Sequence, residues 1–207
     1  TTLFRSGYPF CRGRIFDVVE KDCGQYDTVT EVMWVTGAAL FIRLADYREV
    51  GGLDGHFFAH MEEIDLCWRL RSRGKKLVCI PQSVVYHVGG ATLKKENPRK
   101  TFLNFRNNLL MLYKNLPDKE LEHVLFIRGI LDRVAALVFY LKKDRANARA
   151  VMQARREFED IRYSFAASRI ENMMKSTDEI IPERTHFSIV MKYYLLGKKH
   201  FSQLKLF

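Results

Sequence analysis

A glycine-rich turn that leads into three closely spaced carboxylates most restricts how this chain can fold. The turn is Gly51-Gly52-Leu53-Asp54-Gly55, and the carboxylates are Glu62, Glu63 and Asp65. Apolar residues then recur at helical spacing until Gly74. Because acidic side chains favour helix N-termini and glycine ends helices, the sequence predicts a helix over about 62–72 with an acidic first turn.

The acidic cluster has two explanations. In the simpler one, Glu62 and Glu63 only stabilise the helix N-terminus, and Asp65 pairs with Arg69 on the next turn. In the other, the carboxylates belong to a catalytic site. Spacing alone does not separate the two explanations, but the order of the surrounding motifs favours a site.

These motifs follow one another in a recognisable order. They are Gly37-Ala38, the turn Gly51–Asp54, the acidic segment, Arg69, Gly74, Pro81 and His87. The order resembles the acceptor-side half of a family 2, GT-A-fold glycosyltransferase. That family carries a G-G-[FL]-D turn, an E-D-x-D-L-x-x-R-x-x-x-x-G segment and a P-x-x-x-V-x-H strand. The resemblance covers roughly residues 30–110 and is nearest to bacterial rhamnosyltransferase-like enzymes.

The resemblance implies an α/β fold in two parts. Residues 1–93 would form the C-terminal, acceptor-side part of a GT-A (Rossmann-like) domain, and residues 94–207 an α-helical extension. Charge supports this division, because residues 1–93 carry 11 basic and 11 acidic side chains, whereas residues 94–207 carry 23 and 13. The whole net charge of +10 therefore lies in the second part.

Periodicity and breaker residues predict the individual elements. Strands are predicted at Glu31–Val35, Ala38–Arg43, Leu77–Ile80 and Val84–His87. Helices are predicted at Leu44–Val50, 62–72, 98–116, Asp118–Leu141 and Arg145–Ala166, with a short one at Ile189–Leu196. Asn97-Pro98 has the residue types of an N-cap and a first helical position.

The resemblance also assigns the chemistry of the acids. In the family, the second acid of the E-D pair removes the proton from the acceptor hydroxyl as that oxygen attacks the anomeric carbon. This position is Glu63, where glutamate replaces the usual aspartate and is one methylene longer. Glu62 and Asp65 are therefore alternative bases. We expect Glu63 to be the base, with the other two orienting it and shaping the acceptor site.

Further site residues follow from the resemblance. Gly37 and Ala38 are expected to line the substrate site, and Gly89 and Gly90 to let a loop fold over the diphosphate. Arg69 is expected either to pair with Asp65 or to bind substrate.

His87 lies 24 residues after Glu63, the spacing at which some metal-dependent GT-A enzymes place a metal ligand. The alternative is a strand-end histidine bonded to its own loop. A divalent metal, Mn²⁺ or Mg²⁺, is expected only with a donor-binding half that supplies carboxylates.

The sequence contains no Asp-x-Asp, the motif with which GT-A enzymes hold metal and nucleotide, and it starts at Thr1. We therefore expect a C-terminal fragment of a larger enzyme, inactive without its donor-binding half. The whole enzyme would take a nucleotide-sugar donor and a saccharide or lipid-linked saccharide acceptor in cell-surface polysaccharide synthesis.

The basic helical part also suits a different class of function, a non-enzymatic module that binds an anionic membrane or nucleic acid. Its Lys and Arg alternate with Glu and Asp and no nucleic-acid motif is present, so nucleic acid is not expected as a partner. An anionic membrane remains a candidate partner because apolar residues share these helices: Phe102, Phe105, Phe126, Phe139 and Tyr140. In the alternative, these faces pack on one another.

Composition excludes some classes. With 47% hydrophobic and 28% charged residues, the chain is not disordered, and it has no run of 18 apolar residues. A cytoplasmic location, peripheral on the inner face of the plasma membrane, is expected.

Four cysteines without a C-x-x-C pair are expected to be reduced, packed thiols. His56 and His60 lie near Glu62, but His56 precedes the helix, so no zinc site is expected.

Overall fold

The computed structural model describes residues 3–4, 6–87, 97–177, 181–185, 187–204 and 206. Within these ranges each strand has two residues: β1 (Leu3–Phe4), β2 (Arg14–Ile15), β3 (Val18–Val19), β4 (Thr30–Glu31), β5 (Val78–Cys79) and β6 (Arg184–Thr185). The strands pair two by two. β1 pairs with β6 in parallel, whereas β2 with β3 and β4 with β5 are antiparallel.

Helices dominate the described part of the chain. They are α1 (Leu44–Glu49), α2 (Glu62–Ser72), α3 (Pro98–Asn115), α4 (Asp118–Leu141), α5 (Arg145–Ile161) and α6 (Ala166–Met174). Local chemistry sets their ends: the Asn97 side chain accepts from the Arg99 backbone N–H, and Gly74 follows α2 with φ of +75°. The architecture is a mixed α/β one, rich in helix.

Most predicted helices are confirmed close to their predicted ends. The helix predicted over Arg145–Ala166 instead stops at Ile161, and a 3₁₀ turn (Arg162–Phe165) leads into α6. The short helix predicted at Ile189–Leu196 includes a π-helical turn over Met191–Leu195. The predicted domain boundary near Leu93 lies outside the described residues.

Two predicted strands are wrong. Thr36 Oγ1 accepts from the Ala38 backbone N–H at 3.4 Å and starts a 3₁₀ turn over Gly37–Ala39, so the strand predicted at Ala38–Arg43 does not form. Val84–His87 is exposed and has no ladder partner among the described residues. The strand predicted at Leu77–Ile80 is shortened to β5, and the strand predicted at Glu31–Val35 shares only Glu31 with β4.

One large apolar core joins the two predicted parts of the chain. It contains Phe57, Ile64, Leu66 and Trp68 from the first part and Leu109, Met111, Leu112, Val124 and Phe158 from the second. A smaller core contains Phe10, Ile15, Ile189, Phe201 and Leu204. The larger core packs α2, which carries the acids, against α3.

A buried ionic cluster fixes the inner face of α4. Asp132 accepts from Tyr8 Oη at 2.8 Å, Arg128 Nε at 3.1 Å and Arg155 Nη1 at 2.8 Å. Burial raises the pKa of Tyr8 to about 12, although the nearby Arg128 opposes this rise.

None of the helices in the described ranges is long and apolar enough to span a bilayer.

Candidate active site

The acids of α2 follow a turn with unusual backbone angles. Phe58, His60 and Met61 have φ of 60°, 71° and 76°. Non-glycine residues rarely adopt such angles, which cost on the order of 1 kcal/mol or more each. Strain of this kind persists only where the surrounding structure imposes it, and it concentrates at functional sites.

Asn107 on α3 imposes the shape of this turn. Its fully buried Nδ2 lies 2.8 Å from each of the carbonyl oxygens of Phe57, Ala59 and His60. Arg106 Nη2 also donates to the His56 carbonyl at 3.1 Å. The start of α2 is therefore positioned by a helix about 50 residues further along the chain.

Asp65 is completely buried, and both its oxygens have partners. Oδ2 accepts from Arg69 Nε at 3.0 Å and Lys114 Nζ at 2.9 Å, and Oδ1 accepts from Asn115 Nδ2 at 2.7 Å. Arg69 also donates to the carbonyls of Val50 and Gly52. The predicted Asp65–Arg69 pair is thus present. Asp65 has no exposed surface and Arg69 is 5% exposed, so both side chains are directed to this network, and their expected contacts with substrate stay predictions.

Lys114 joins the glycine turn to the same network. Its Nζ lies 2.7 Å from Asp54 Oδ2 and 5.1 Å from the centre of the Phe57 ring. Burial alone would raise the pKa of Asp54, but the hydrogen bond and charge of Lys114 lower it to about 2. Together with Lys114, the motif residues Asp54, Asp65 and Arg69 therefore form one buried cluster, here called the clamp.

The sequence prediction missed the partners that α3 supplies. Four polar residues interrupt its otherwise apolar buried face: Asn107, Asn108, Lys114 and Asn115. Buried amides and ammonium groups need specific partners, so this interruption is the signal that could have identified them.

Glu62 and Glu63 have different surroundings from Asp65. Both are half-buried, and one carboxyl oxygen of each (Oε2) is buried without a hydrogen-bond partner among the described residues. Burial raises the pKa of Glu63 to about 6, and the negative charge of Glu62 adds to the rise. A carboxyl group with such a pKa can take up and release a proton near neutral pH.

Glu63 lies beside the Gly37–Ala39 turn, which borders an open cleft that Glu63 itself does not line. A Cβ at position 37 would lie 3.8 Å from Glu63 Cβ, and Gly37 and Ala38 are both exposed. The cleft has a volume of about 920 Å³, and its lining includes Cys11, Thr36 and Ala39. Burial raises the pKa of Cys11, and the charge of Glu63 contributes to this rise, which also indicates proximity. The structure thus brings Gly37 and Glu63 together.

The described residues do not form a metal site. His87 is exposed and outside regular structure, and Gly89 and Gly90 lie outside the described residues. In the ranges that the structure covers, no group of three or more His, Cys, Asp or Glu side chains could hold a metal ion. The ring of His56 instead pairs with Asp54, with 2.7 Å between Nδ1 and Oδ1.

The cysteines only partly match the expectation of packed thiols. All four are free, with Cys67 buried, Cys11 and Cys79 partly buried, and Cys23 exposed.

Parts of the sequence are similar to those of three named proteins. Pre-mycofactocin glycosyltransferase of Mycobacterium tuberculosis is 31% identical over 63% of this chain and 29% of its own length. Rhamnosyltransferase WbbL of Escherichia coli is 33% identical over 33% of this chain and 25% of its own length. N-acetylglucosaminyl-diphospho-decaprenol L-rhamnosyltransferase of Mycobacterium tuberculosis is 38% identical over 27% of this chain and 18% of its own length.

All three relatives are named glycosyltransferases. The chain spans less than a third of the length of each. No family model matches the chain, and no solved structure matches it. The relatives therefore indicate sugar transfer as the general class of function.

Proposed function

We propose that this chain is the acceptor-side part of a family 2, GT-A-type glycosyltransferase. It would serve inverting transfer of a sugar from a nucleotide-sugar donor to a saccharide or lipid-linked saccharide acceptor. The observation that carries the proposal is Glu63, a half-buried carboxyl group with a pKa of about 6 and an unpartnered oxygen, next to the turn that borders the cleft. The names of the relatives support the chemistry, and one of them specifies a decaprenol-linked acceptor.

In the proposed step, ionised Glu63 accepts the proton of the acceptor hydroxyl while that oxygen bonds to the anomeric carbon. The bond from the anomeric carbon to the diphosphate oxygen breaks, and the nucleoside diphosphate leaves with the electron pair of that bond. General-base assistance of this kind typically contributes about 10²–10⁴-fold. The charge of Glu62 raises the basicity of Glu63, and the clamp of Asp54, Asp65 and Arg69 positions the helix that carries it.

We propose further that the donor-binding residues lie in a longer protein. The sequence has no Asp-x-Asp, and the chain covers 29% of the first relative. Any Mn²⁺ or Mg²⁺ would need carboxylates from outside the chain, with His87 as an added ligand. The proposed step of Glu63 does not depend on that metal, and the isolated chain would not turn over.

Substitution of Glu63 tests the proposal. In the longer protein, Glu63→Gln should lower turnover by at least about 10²-fold and leave nucleotide binding nearly unchanged. The dependence of kcat/KM on ionisation near pH 6 should disappear with it. Glu62→Gln is the matched control, because it removes the neighbouring charge from the same helix turn. If Glu62→Gln abolishes turnover and Glu63→Gln does not, the assignment is wrong.

A further inference from the structure

The outer face of α4 is apolar along most of the helix. Its inner face is buried and carries Leu121, Val124, Leu125, Arg128, Asp132 and Ala136. The opposite face carries Phe126, Ile130, Val134, Leu137, Val138 and Leu141, which are 70%, 51%, 50%, 55%, 43% and 71% exposed. Apart from the neighbours Leu137 and Val138, these six recur at spacings of three and four residues, so they share one face of the helix, here called the α4 stripe. The rest of the described residues pack against the inner face of α4 and leave the stripe exposed.

The exposed charges around the stripe are mainly basic. Between residues 122 and 156 the exposed charged side chains are Glu122, Arg133, Lys142, Lys143, Arg145, Arg149 and Arg156. The other acidic residues in this range are engaged elsewhere: Asp132 is buried with Arg128 and Arg155, and Asp144 caps α5. The surface therefore combines an apolar line with six cations and one exposed anion, Glu122, before its N-terminal end.

A groove between α4 and α5 extends this surface. It has a volume of about 980 Å³; Leu137 and Tyr140 belong to its apolar part, and Arg145, Arg149 and Arg156 also line it. The Arg145 guanidinium lies 5.8 Å from the centre of the Tyr140 ring. Guanidinium groups can bind a phosphate headgroup, and the apolar side chains beside them can contact an acyl chain, so this groove could bind an amphiphile that has both.

We propose that the α4 stripe and its six cations dock on the surface of an anionic lipid membrane. Peripheral helices bind in this way, with the apolar side at the boundary of headgroups and acyl chains and basic side chains on anionic lipids. A second copy of the chain fits less well, because a symmetric contact would bring like charges together. The inference deepens the proposed function, on which it rests for one point only, that a lipid-linked acceptor would lie at this surface.

Vesicle co-sedimentation of the 207-residue chain tests the docking. Binding should be strong at low salt to vesicles of phosphatidylcholine with phosphatidylglycerol. It should weaken by about tenfold or more at high salt, because added salt screens the lipid charge. Little should bind to phosphatidylcholine alone.

Two double variants separate the apolar and the charged contributions. Ile130→Gln with Leu137→Gln removes apolar surface without changing charge, and Arg145→Glu with Arg149→Glu reverses charge without touching the stripe. Each should weaken binding to anionic vesicles by about tenfold or more.

Matched controls alter the same kinds of side chain elsewhere. Phe41→Gln with Val84→Gln removes two apolar side chains that are 90% and 68% exposed. Arg48→Glu with Lys199→Glu reverses two exposed charges. Both control proteins should bind like the unaltered chain, and thermal melts should show that all variants fold.

Three results would overturn the proposal. One is failure of the chain to bind anionic vesicles at low salt, and another is an equal loss of binding in the control variants. The third is a lipid-free dimer, seen by light scattering, that the Ile130→Gln and Leu137→Gln exchange abolishes, which would assign the stripe to a second copy. The vesicle assay contains neither sugar donor nor acceptor. Its outcome therefore does not depend on whether Glu63 acts as the base, which the turnover experiment tests separately.

Discussion

Glu63 and Asp65 stand two residues apart on one helix and have opposite surroundings. Asp65 has no exposed surface and accepts hydrogen bonds from Arg69, Lys114 and Asn115. Glu63 is half-buried with an unpartnered oxygen, and burial raises its pKa to about 6. A carboxylate surrounded by cations has its charge stabilised, whereas one without them keeps its basicity. The partners, more than the residue type, separate a positioning acid from a candidate reacting acid.

The comparison predicts its largest effect at Asp65. Asp65→Asn should lower the free energy of unfolding by about 3–5 kcal/mol, because it leaves the buried cations Arg69 and Lys114 without that counter-charge. Urea denaturation at neutral pH measures the loss. Glu62→Gln, on the same helix turn, should change stability by about 0.5 kcal/mol or less. Equal losses in the two variants would remove the distinction between the acids.

A smaller loss is expected at Asn107. Asn107→Ala removes the amide that lies 2.8 Å from three carbonyls of the strained turn, of which that of Phe57 keeps the Ala59 N–H, and should cost about 1–3 kcal/mol of unfolding free energy. In the longer protein it should lower kcat more than it raises KM, because the turn positions Glu63. The matched control is Asn104→Ala, which removes an amide that donates to the Lys100 carbonyl of the same helix and has no other partner among the described residues. A variant with unchanged kcat would show that the turn does not position the base.

The smallest effect has the opposite sign. The pKa of Glu63 in the folded chain, about 6, exceeds its ordinary value of 4.5, so ionisation of Glu63 disfavours folding. The contribution of this group to stability is therefore greatest below about pH 4.5 and is lost as the pH rises through about 6. Glu63→Gln should remove that loss and stabilise the chain at pH 7 by about 1–2 kcal/mol, the lower figure allowing for solvent screening, or about 2–8 °C in Tm.

Thermal melts across this pH range check the prediction at Glu63. Glu62→Gln serves as the control, since it removes a charge without removing the titrating group. Parallel pH profiles for the unaltered chain and Glu63→Gln would contradict the raised pKa.

Local rules account for the parts of the site that the sequence predicts well. The bounds of α2 follow from its acidic start and the glycine after it, and the Asp65–Arg69 pair follows from helical spacing. The turn before α2 could not be predicted in this way. Phe58 and Met61 have no preference for positive φ, and the angles are imposed by Asn107 from a distant helix.

The strand predictions failed for a related reason. A strand needs a partner, and a short apolar run such as that in Ala38–Arg43 does not specify one. Thr36 instead starts a 3₁₀ turn, which exposes Gly37 next to Glu63. The GT-A architecture, the domain division and the roles of His87, Gly89 and Gly90 stay predictions.

The buried clamp has a consequence for how this chain can diverge. Its ionic members, Asp54, Asp65, Arg69 and Lys114, contribute two negative and two positive charges and come from a turn and two helices. A single exchange leaves a net charge in the interior, whereas joint loss of one acid and one base keeps the set neutral. The four positions should therefore change as coupled characters during evolution. They would record common descent among proteins whose other positions have diverged.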